Sequence, residues 1–414
     1  MLSVSILFIF FAAVAFIGFI INAMFYKFKI SSVLPLMVLG AVVGPVLHLV
    51  NIGNGSFLLL ATPYISAIAI AFILFDVGLN MKISKLGDVI AIATKFTFVN
   101  AVVTGILISI AGYFIFGWTL LEAFAFGFAL SGTSTMIVPT LMKLVSARAE
   151  LKTVLLYEGI ATDMLQLIVP LILLGFIVNP VNSTLQIGSF IFTEIFGSIL
   201  LGIVSAFFWL YILNRYKEQG MSYSWMLTLT MVVAAYGIAE WMGISGAITV
   251  FVFGLAFANM GAYAQKSKDG FWKSISIGNQ VKHIRNYQRE IVFFASTFFF
   301  VYIGVLLNLK NITFGTVLAT VIIVVLIFLV RYIFSPMLRK YFSADEAKRR
   351  AEERLVFSNI SRGLSPAIIA TVPLSLGILI PGFLDTIFLV ILFTNIVSTI
   401  GVMFSYKGVR YKRG

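Results

Sequence analysis

The chain has 414 residues, of which 60% are hydrophobic and only 11% charged, and its mean hydropathy of +1.06 excludes an ordinary soluble domain. It has no cysteine and two histidines, which argues against disulfides, thiolate centres and a His-based metal site. The net charge of +13 would suggest nucleic acid in a soluble chain; in a membrane protein it reflects Lys and Arg gathered on cytoplasmic loops.

Segments able to cross ~30 Å of hydrocarbon as helices of about 20 residues fall at 2–25, 32–50, 61–81, 89–116, 120–144, 152–178, 187–214, 223–242, 245–260, 291–309, 314–338, 355–378 and 382–404. The expected fold is therefore an all-α polytopic membrane protein of about thirteen spans in one membrane domain, 1–414. The first span lacks a basic n-region and a small-residue cleavage site, and is expected to be a retained helix. Of the 29 basic residues, 25 lie in alternate connections, from Lys27 and Lys29 to the group at and beyond Lys407. That asymmetry predicts an N-terminus outside and a C-terminus in the cytoplasm. The longest connection, 261–290, interleaves Phe271, Trp272 and Ile275 with Lys268, Lys273 and Lys282, the pattern of an amphipathic helix on an anionic lipid surface. The charged run 345–354 reads as a solvated helical turn.

Two spans carry interruptions. The fifth contains Ser131-Gly132-Thr133-Ser134-Thr135 followed by Pro139, and the twelfth Ser361-Arg362-Gly363-Leu364-Ser365-Pro366 followed by Pro373. Backbone freed at that depth is tolerated only where it lines a cavity or is buried in protein. Each interruption is central to a three-span group, spans four to six and eleven to thirteen, and the odd offset between the groups orients them oppositely. This is the pattern of an inverted repeat whose two broken helices meet and cross at a substrate site.

The stretch 155–174 carries Glu158 and Asp163 in an otherwise apolar run, and carboxylates at such depth belong by default to an ion or proton pathway. At 1.5 Å per residue from the cytoplasmic end of span six, Asp163 lies about 16 Å in and Glu158 about 9 Å in, turned roughly 140° apart. Arg362 reaches a depth similar to that of Glu158 and needs a carboxylate, so the two are expected to pair. Asp163 is then left as the group that alternately holds a proton and a metal ion, with Thr162 beside it offering an oxygen. Asp76 on span three either completes an oxygen cage or caps a helix end beside Asn80 and Lys82. Lys95, Glu194, Glu240 and Arg331, near predicted span ends, are expected to snorkel or pair there.

These motifs resemble the monovalent cation:proton antiporters, and more closely their sodium/proton exchanger branch. The resemblance rests on the frame from Glu158 to Thr162-Asp163, on Arg362-Gly363-Leu364-Ser365 and on Leu74-Phe75-Asp76-Val77-Gly78-Leu79. The stretches 243–254 and 298–304 also look familiar, so the likeness runs along essentially the whole chain. It implies that Asp163 is the ion and proton carrier, that Asp76 and the unwound Thr133 region supply further ligands, and that Glu158 and Arg362 form a structural ion pair. It also implies a moving core bundle at 61–178 and 314–404, and a dimerisation scaffold at 1–50 and 187–309. The chain departs from the branch at Thr133-Ser134-Thr135, which is closer to potassium-efflux relatives, at Thr162 in place of an asparagine and at Gly159 in place of a hydroxyl residue; the span-ten lysine of electrogenic relatives is also missing.

The expected function is antiport of a monovalent cation, Na⁺ before K⁺ or Li⁺, against H⁺ by alternating access at a plasma membrane. The expected protein is a lipid-embedded homodimer that needs no cofactor and engages no nucleic acid. With Ser134 in place of an acid, one carrier carboxylate predicts electroneutral exchange. A K⁺/H⁺ antiporter or K⁺ efflux system is the alternative. An integral-membrane enzyme is a remote one, because the outer loops lack catalytic residue types, and no Gly-x-x-x-x-Gly-Lys-Ser/Thr loop is present for ATP.

Overall fold

A chain segment in hydrocarbon must satisfy its own backbone hydrogen bonds, and a run of apolar residues does so by coiling into a helix. The computed structural model describes residues 12–21, 24, 33–47, 57–80, 90–134, 138, 147–178, 188, 192–215, 224–266 and 278–407, and among these residues it is helical, with no strand. The helices are α1 (Ala12–Ile21), α2 (Val33–Ala41), α3 (Phe57–Asn80), α4 (Ile90–Phe116), α5 (Leu120–Ala129), α6 (Ala149–Val178) and α7 (Ser198–Arg215). They continue as α8 (Ser224–Trp241), α9 (Gly246–Lys266), α10 (Gly278–Leu306), α11 (Phe314–Phe334), α12 (Glu346–Ser358), α13 (Leu364–Ser375) and α14 (Phe383–Lys407). Among the described residues seven helices are long and apolar enough to cross a membrane and five apolar helices are shorter. The short ones include α5, which ends at the interruption foreseen in span five, and α13, which begins at the one foreseen in span twelve.

Two boundaries differ from expectation. Helix α10 begins at Gly278, so Arg285 and Arg289 ride on a helix rather than in a long connection. The charged run 345–354 is the front of α12, and it is solvated on one side only. Glu346 and Arg350 pair in the open, whereas Glu352 is buried and accepts hydrogen bonds from the backbone N–H groups of Arg148 and Ser343 at 2.9 and 2.6 Å. The interfacial stretch 268–275, the loop lysines 27, 29, 82 and 85, Thr135 and Pro139 lie outside the described residues.

By packing, the chain divides into two units: Met1–Pro63 with Leu86–Val178 and Thr297–Gly414, and Tyr64–Lys85 with Asn179–Ser296. In the second unit α3 packs on α9, where Gly78 and Gly254 let the two backbones approach and Phe75 meets Phe253 at 5.1 Å. Trp209 of α7 donates to Thr228 of α8 at 2.9 Å, and Arg285 and Gln288 of α10 donate to carbonyls of α3. These borders describe packing, whereas the core and scaffold bundles implied by the resemblance are defined by motion.

The first unit holds both interruptions and both three-helix groups. Helix α5 opens with a capping box, in which the Thr119 hydroxyl accepts from the Glu122 N–H and the Glu122 carboxylate accepts from the Thr119 N–H at 2.8 Å. It then lies directly on α4 along a seam of small residues. A Cβ on Gly127 would run into the Ser109 side chain and the Gly105 carbonyl. Gly127→Ala should therefore overpack the seam and cost about 1–3 kcal/mol, lowering the melting temperature in detergent. Gly237→Ala, where a Cβ meets nothing within 4 Å, should leave it unchanged or raise it.

Candidate functional site

Two helices stopped in the middle of a bundle present polar backbone ends that need partners. Helix α5 ends at Ala129 and the chain runs unwound through Ser131, Gly132, Thr133 and Ser134; α12 ends at Ser358 and the chain is again unwound until α13 begins at Leu364. The two unwound stretches are joined to each other. The Ser134 N–H donates to the Ser361 carbonyl at 3.0 Å, and Gly363, with no side chain of its own, lies against the side chain of Ser134. These contacts realise the crossing foreseen in the sequence, and they give Ser134 a joining role.

Arg362 sits where the carbonyl ends of the two half-helices converge. Its Nε donates to the Leu130 carbonyl at 2.7 Å and its Nη1 to the Ile360 carbonyl at 3.0 Å. Each helix C-terminus carries roughly −0.5 of an elementary charge, so two together offset about one guanidinium. The unwound backbone at Arg362 is pinned from α14, where the Thr394 hydroxyl accepts from the Arg362 N–H and the Asn395 amide donates to the Arg362 carbonyl at 2.8 Å.

The expected Glu158–Arg362 ion pair is corrected by this geometry. Glu158 is fully buried and its carboxylate is gripped by both terminal nitrogens of Arg331 from α11, the Nη2 to Oε2 bond being 2.8 Å. Asn100 of α4 adds a third donor at 3.3 Å. Arg331 also donates from Nε to the Val356 carbonyl at 2.9 Å, and its guanidinium lies over the Phe96 ring at 5.2 Å. It does not snorkel: it is 1% exposed and ties α11 to α4, α6 and α12. Depth alone cannot choose between two arginines, because it says nothing of where each side chain points. Arg362 belongs to the broken backbone and is used there, and Glu158 and Arg331 are both close enough to act on its charge. The signal for Arg331 was present in the sequence, since a guanidinium inside an apolar span requires an anionic partner.

Helix α6 meets both breaks with two adjacent stripes of side chains. On one, Thr162 fastens the break of α5. Its hydroxyl oxygen accepts from the Thr133 N–H at 3.0 Å and donates to the Glu158 carbonyl at 2.8 Å. Gln166, one turn further, donates from Nε2 to the Thr162 carbonyl at 3.3 Å and lies against Gly132, where a Cβ would collide with it and with Thr162. On the other stripe stands Asp163, 4% exposed, whose Oδ1 accepts from the Ser365 hydroxyl at 2.8 Å. Ser365 is in the first turn of α13, so the carboxylate faces the positive end of a half-helix. Thr133 is buried in the same corner, and its hydroxyl oxygen has no hydrogen-bond partner among the described residues.

The structure thus brings together Asp163, Thr162, Thr133 and Ser134 around the crossing, and adds Ser365 and Gln166, which the sequence reading had not assigned to the site. Asp76 belongs to the second unit, in the last turns of α3. Its Oδ1 has no hydrogen-bond partner among the described residues, Asn80 donates to its backbone carbonyl at 2.9 Å, and Arg285 and Arg289 of α10 are close enough to act on its charge.

A bundle with two joined helix breaks beside the buried carboxylate of Asp163 has the architecture of a secondary transporter. The chain belongs to the transmembrane sodium/hydrogen exchanger family, whose model matches residues 9–405. It is 24% identical over 383 residues to the low-affinity Na⁺/H⁺ antiporter NhaS1 of Synechocystis, covering 91% of this chain and 69% of that one. It is 23% identical over 252 residues to sodium/hydrogen exchanger 7 of Arabidopsis thaliana, covering 58% of this chain but only 20% of that protein. Against sodium/hydrogen exchanger 1 of Dictyostelium discoideum it likewise spans 37% of the relative's length, at 24% identity. The fold matches the sodium proton antiporter MjNhaP1 of Methanocaldococcus jannaschii with a TM-score of 0.71 and 16% identity, over 96% of this chain and 95% of that one. The resemblance read from the motifs is borne out at the level of family and fold.

The revised ion pair is open to test by thermal unfolding in detergent. Glu158→Gln leaves buried cationic charge uncompensated and should cost about 3–5 kcal/mol. Combining it with Arg331→Met should recover much of that loss, whereas combining it with Arg362→Gln should not. Equal recovery in both double variants would return the pairing to Arg362.

Proposed function

We propose that the chain is a monovalent cation/proton antiporter working by alternating access, with Na⁺ as its cation and Asp163 as the exchanging group. The observation that carries this reading is the position of Asp163: a buried carboxylate, bonded to Ser365, where two broken helices are joined. An arriving cation supplied with oxygen ligands expels the proton, and a proton arriving at the emptied carboxylate expels the cation. Alternation of the two occupants couples their fluxes without ATP.

The stoichiometry follows from how the other charges are held. Glu158 is occupied by Arg331, and Ser134 stands where an acidic ligand would add a second titrating group. Asp163 carries one cation or one proton and is neutralised by either, so no net charge crosses in a cycle. Electroneutral one-for-one exchange is the result. We extend to this chain, from its family, a homodimer in the plasma membrane with its N-terminus outside. The neutral ligand set at Thr133 and Ser134 supports K⁺ as the second candidate for the transported ion.

Proteoliposomes containing the purified protein and an internal pH indicator should lose an imposed pH gradient on addition of Na⁺. Comparison with Li⁺ and K⁺ ranks the ions. Asp163→Asn keeps shape and hydrogen bonding but removes the titrating group, and should abolish the response while the protein remains folded. Retained cation-driven proton movement in that variant would sink the assignment. On solid-supported membranes an imposed Na⁺ gradient should give no sustained current; a sustained current lost in Asp163→Asn would overturn electroneutrality and direct attention to Asp76.

A further inference from the structure

Among the fully buried polar side chains that the exchange chemistry does not use, Gln166 is the one bonded to Thr162, the residue next to Asp163. Gln166 is 1% exposed and stands one turn beyond Asp163 on α6, inside an apolar run where an amide has no obvious reason to be. Its Nε2 is bonded to the Thr162 carbonyl and lies against Gly132. That bond also fixes the orientation of the amide, because the reverse placement would set two carbonyl oxygens together. The other end, Oε1, is therefore an oxygen, and it has no hydrogen-bond partner among the described residues.

A second oxygen in the same corner shares this condition. The Thr133 hydroxyl is buried without a hydrogen-bond partner among the described residues, and Thr133 and Gln166 are both bonded to Thr162, the first through its backbone N–H and the second through Nε2. Buried polar atoms are almost always paired, and an exception calls for an explanation. A carbonyl oxygen has no proton to give, so only a donor or a cation can satisfy it. Neutral oxygens anchored on Thr162, the residue next to Asp163, are ligands suited to a hard cation with little charge.

We propose that Gln166 is a specificity-determining residue whose side-chain carbonyl, together with the Thr133 hydroxyl, receives the transported alkali cation at Asp163. The inference rests on Asp163 being the exchange site. It gives Gly132 a purpose as well, since only a residue without Cβ lets the unwound backbone seat against the amide. The arrangement replaces charge with neutral coordination: one carboxylate binds, and the amide oxygen sets the size and field that the ion meets after losing its water.

Cation-dependent exchange in proteoliposomes, measured as apparent KM for Na⁺, K⁺ and Li⁺, tests this. Gln166→Met keeps the length of the side chain and removes the oxygen. It should raise the Na⁺ KM at least tenfold and change the Na⁺ to K⁺ ratio, with the maximal rate less affected because Asp163 still exchanges. Gln166→Glu restores an acceptor oxygen at the same reach and should recover the affinity that Gln166→Met loses. If Gln166→Met does not fold, Gln166→Asn, which withdraws the carbonyl by one methylene, should show the same shift in ion ratio. Any folded variant of Gln166 lacking the oxygen or withdrawing it, with KM values and ion ratios within twofold of the unsubstituted protein, overturns the inference and reduces the amide to a packing or water-binding group. Failure of the unsubstituted protein to exchange any cation would instead strike the antiport reading itself. The melting temperature in NaCl against choline chloride gives a second readout, since bound cation stabilises the fold. That difference should shrink in Gln166→Met.

Discussion

A helix that stops inside an apolar bundle leaves carbonyls at one end and N–H groups at the other, and no water is at hand to satisfy them. Much of the first unit is arranged around that constraint. Arg362 lies against the carbonyl ends, the Ser134 N–H reaches the Ser361 carbonyl, and Thr162 takes up the N–H of Thr133. The solutions are local, directional and made of fixed protein groups. They hold unwound backbone open at a place where an ordinary helix would have sealed it.

The same constraint distinguishes the two buried carboxylates of α6 by the partners each has. Glu158 and Arg331 are a complete unit, with two guanidinium contacts, an amide donor and an aromatic face, and their bonds tie four helices together. Such a pair adds little net stability over an apolar replacement, but losing one member is severe. Its contribution is to fix where α6 stands relative to the breaks, and so where Asp163 stands. Asp163 is bonded to a hydroxyl and faces the positive end of α13. A carboxylate bonded to a hydroxyl beside a helix end is held less firmly than one clamped by an arginine.

Small residues set how closely these parts meet. Gly127 allows α5 to lie on α4, Gly132 admits the Thr162 and Gln166 side chains, and Gly363 admits Ser134. At each point the close approach replaces apolar side-chain packing with backbone or polar contact, which is how a site rich in neutral oxygens can be buried.

The sequence by itself determined the membrane class, the helical fold, the two interruptions, read as 131–135 and 361–366, and the carboxylates on span six, because hydropathy, proline, glycine and misplaced charge are properties that individual residues declare. It also carried the motifs from which family membership follows. Only the tertiary structure decided which arginine holds Glu158, since Arg331 and Arg362 lie at similar depths and the choice depends on the direction of each side chain. It alone showed that Arg362 answers helix-terminal carbonyls, which exist as an electrostatic partner only once both half-helices end at the same place. It alone made Ser365 and Gln166 part of the site, because a serine on span twelve and a glutamine on span six acquire meaning from contacts 202 residues apart in sequence and from an amide oxygen left without a partner. One-dimensional pattern records what each residue prefers; which preferences are met, and by whom, is settled by packing.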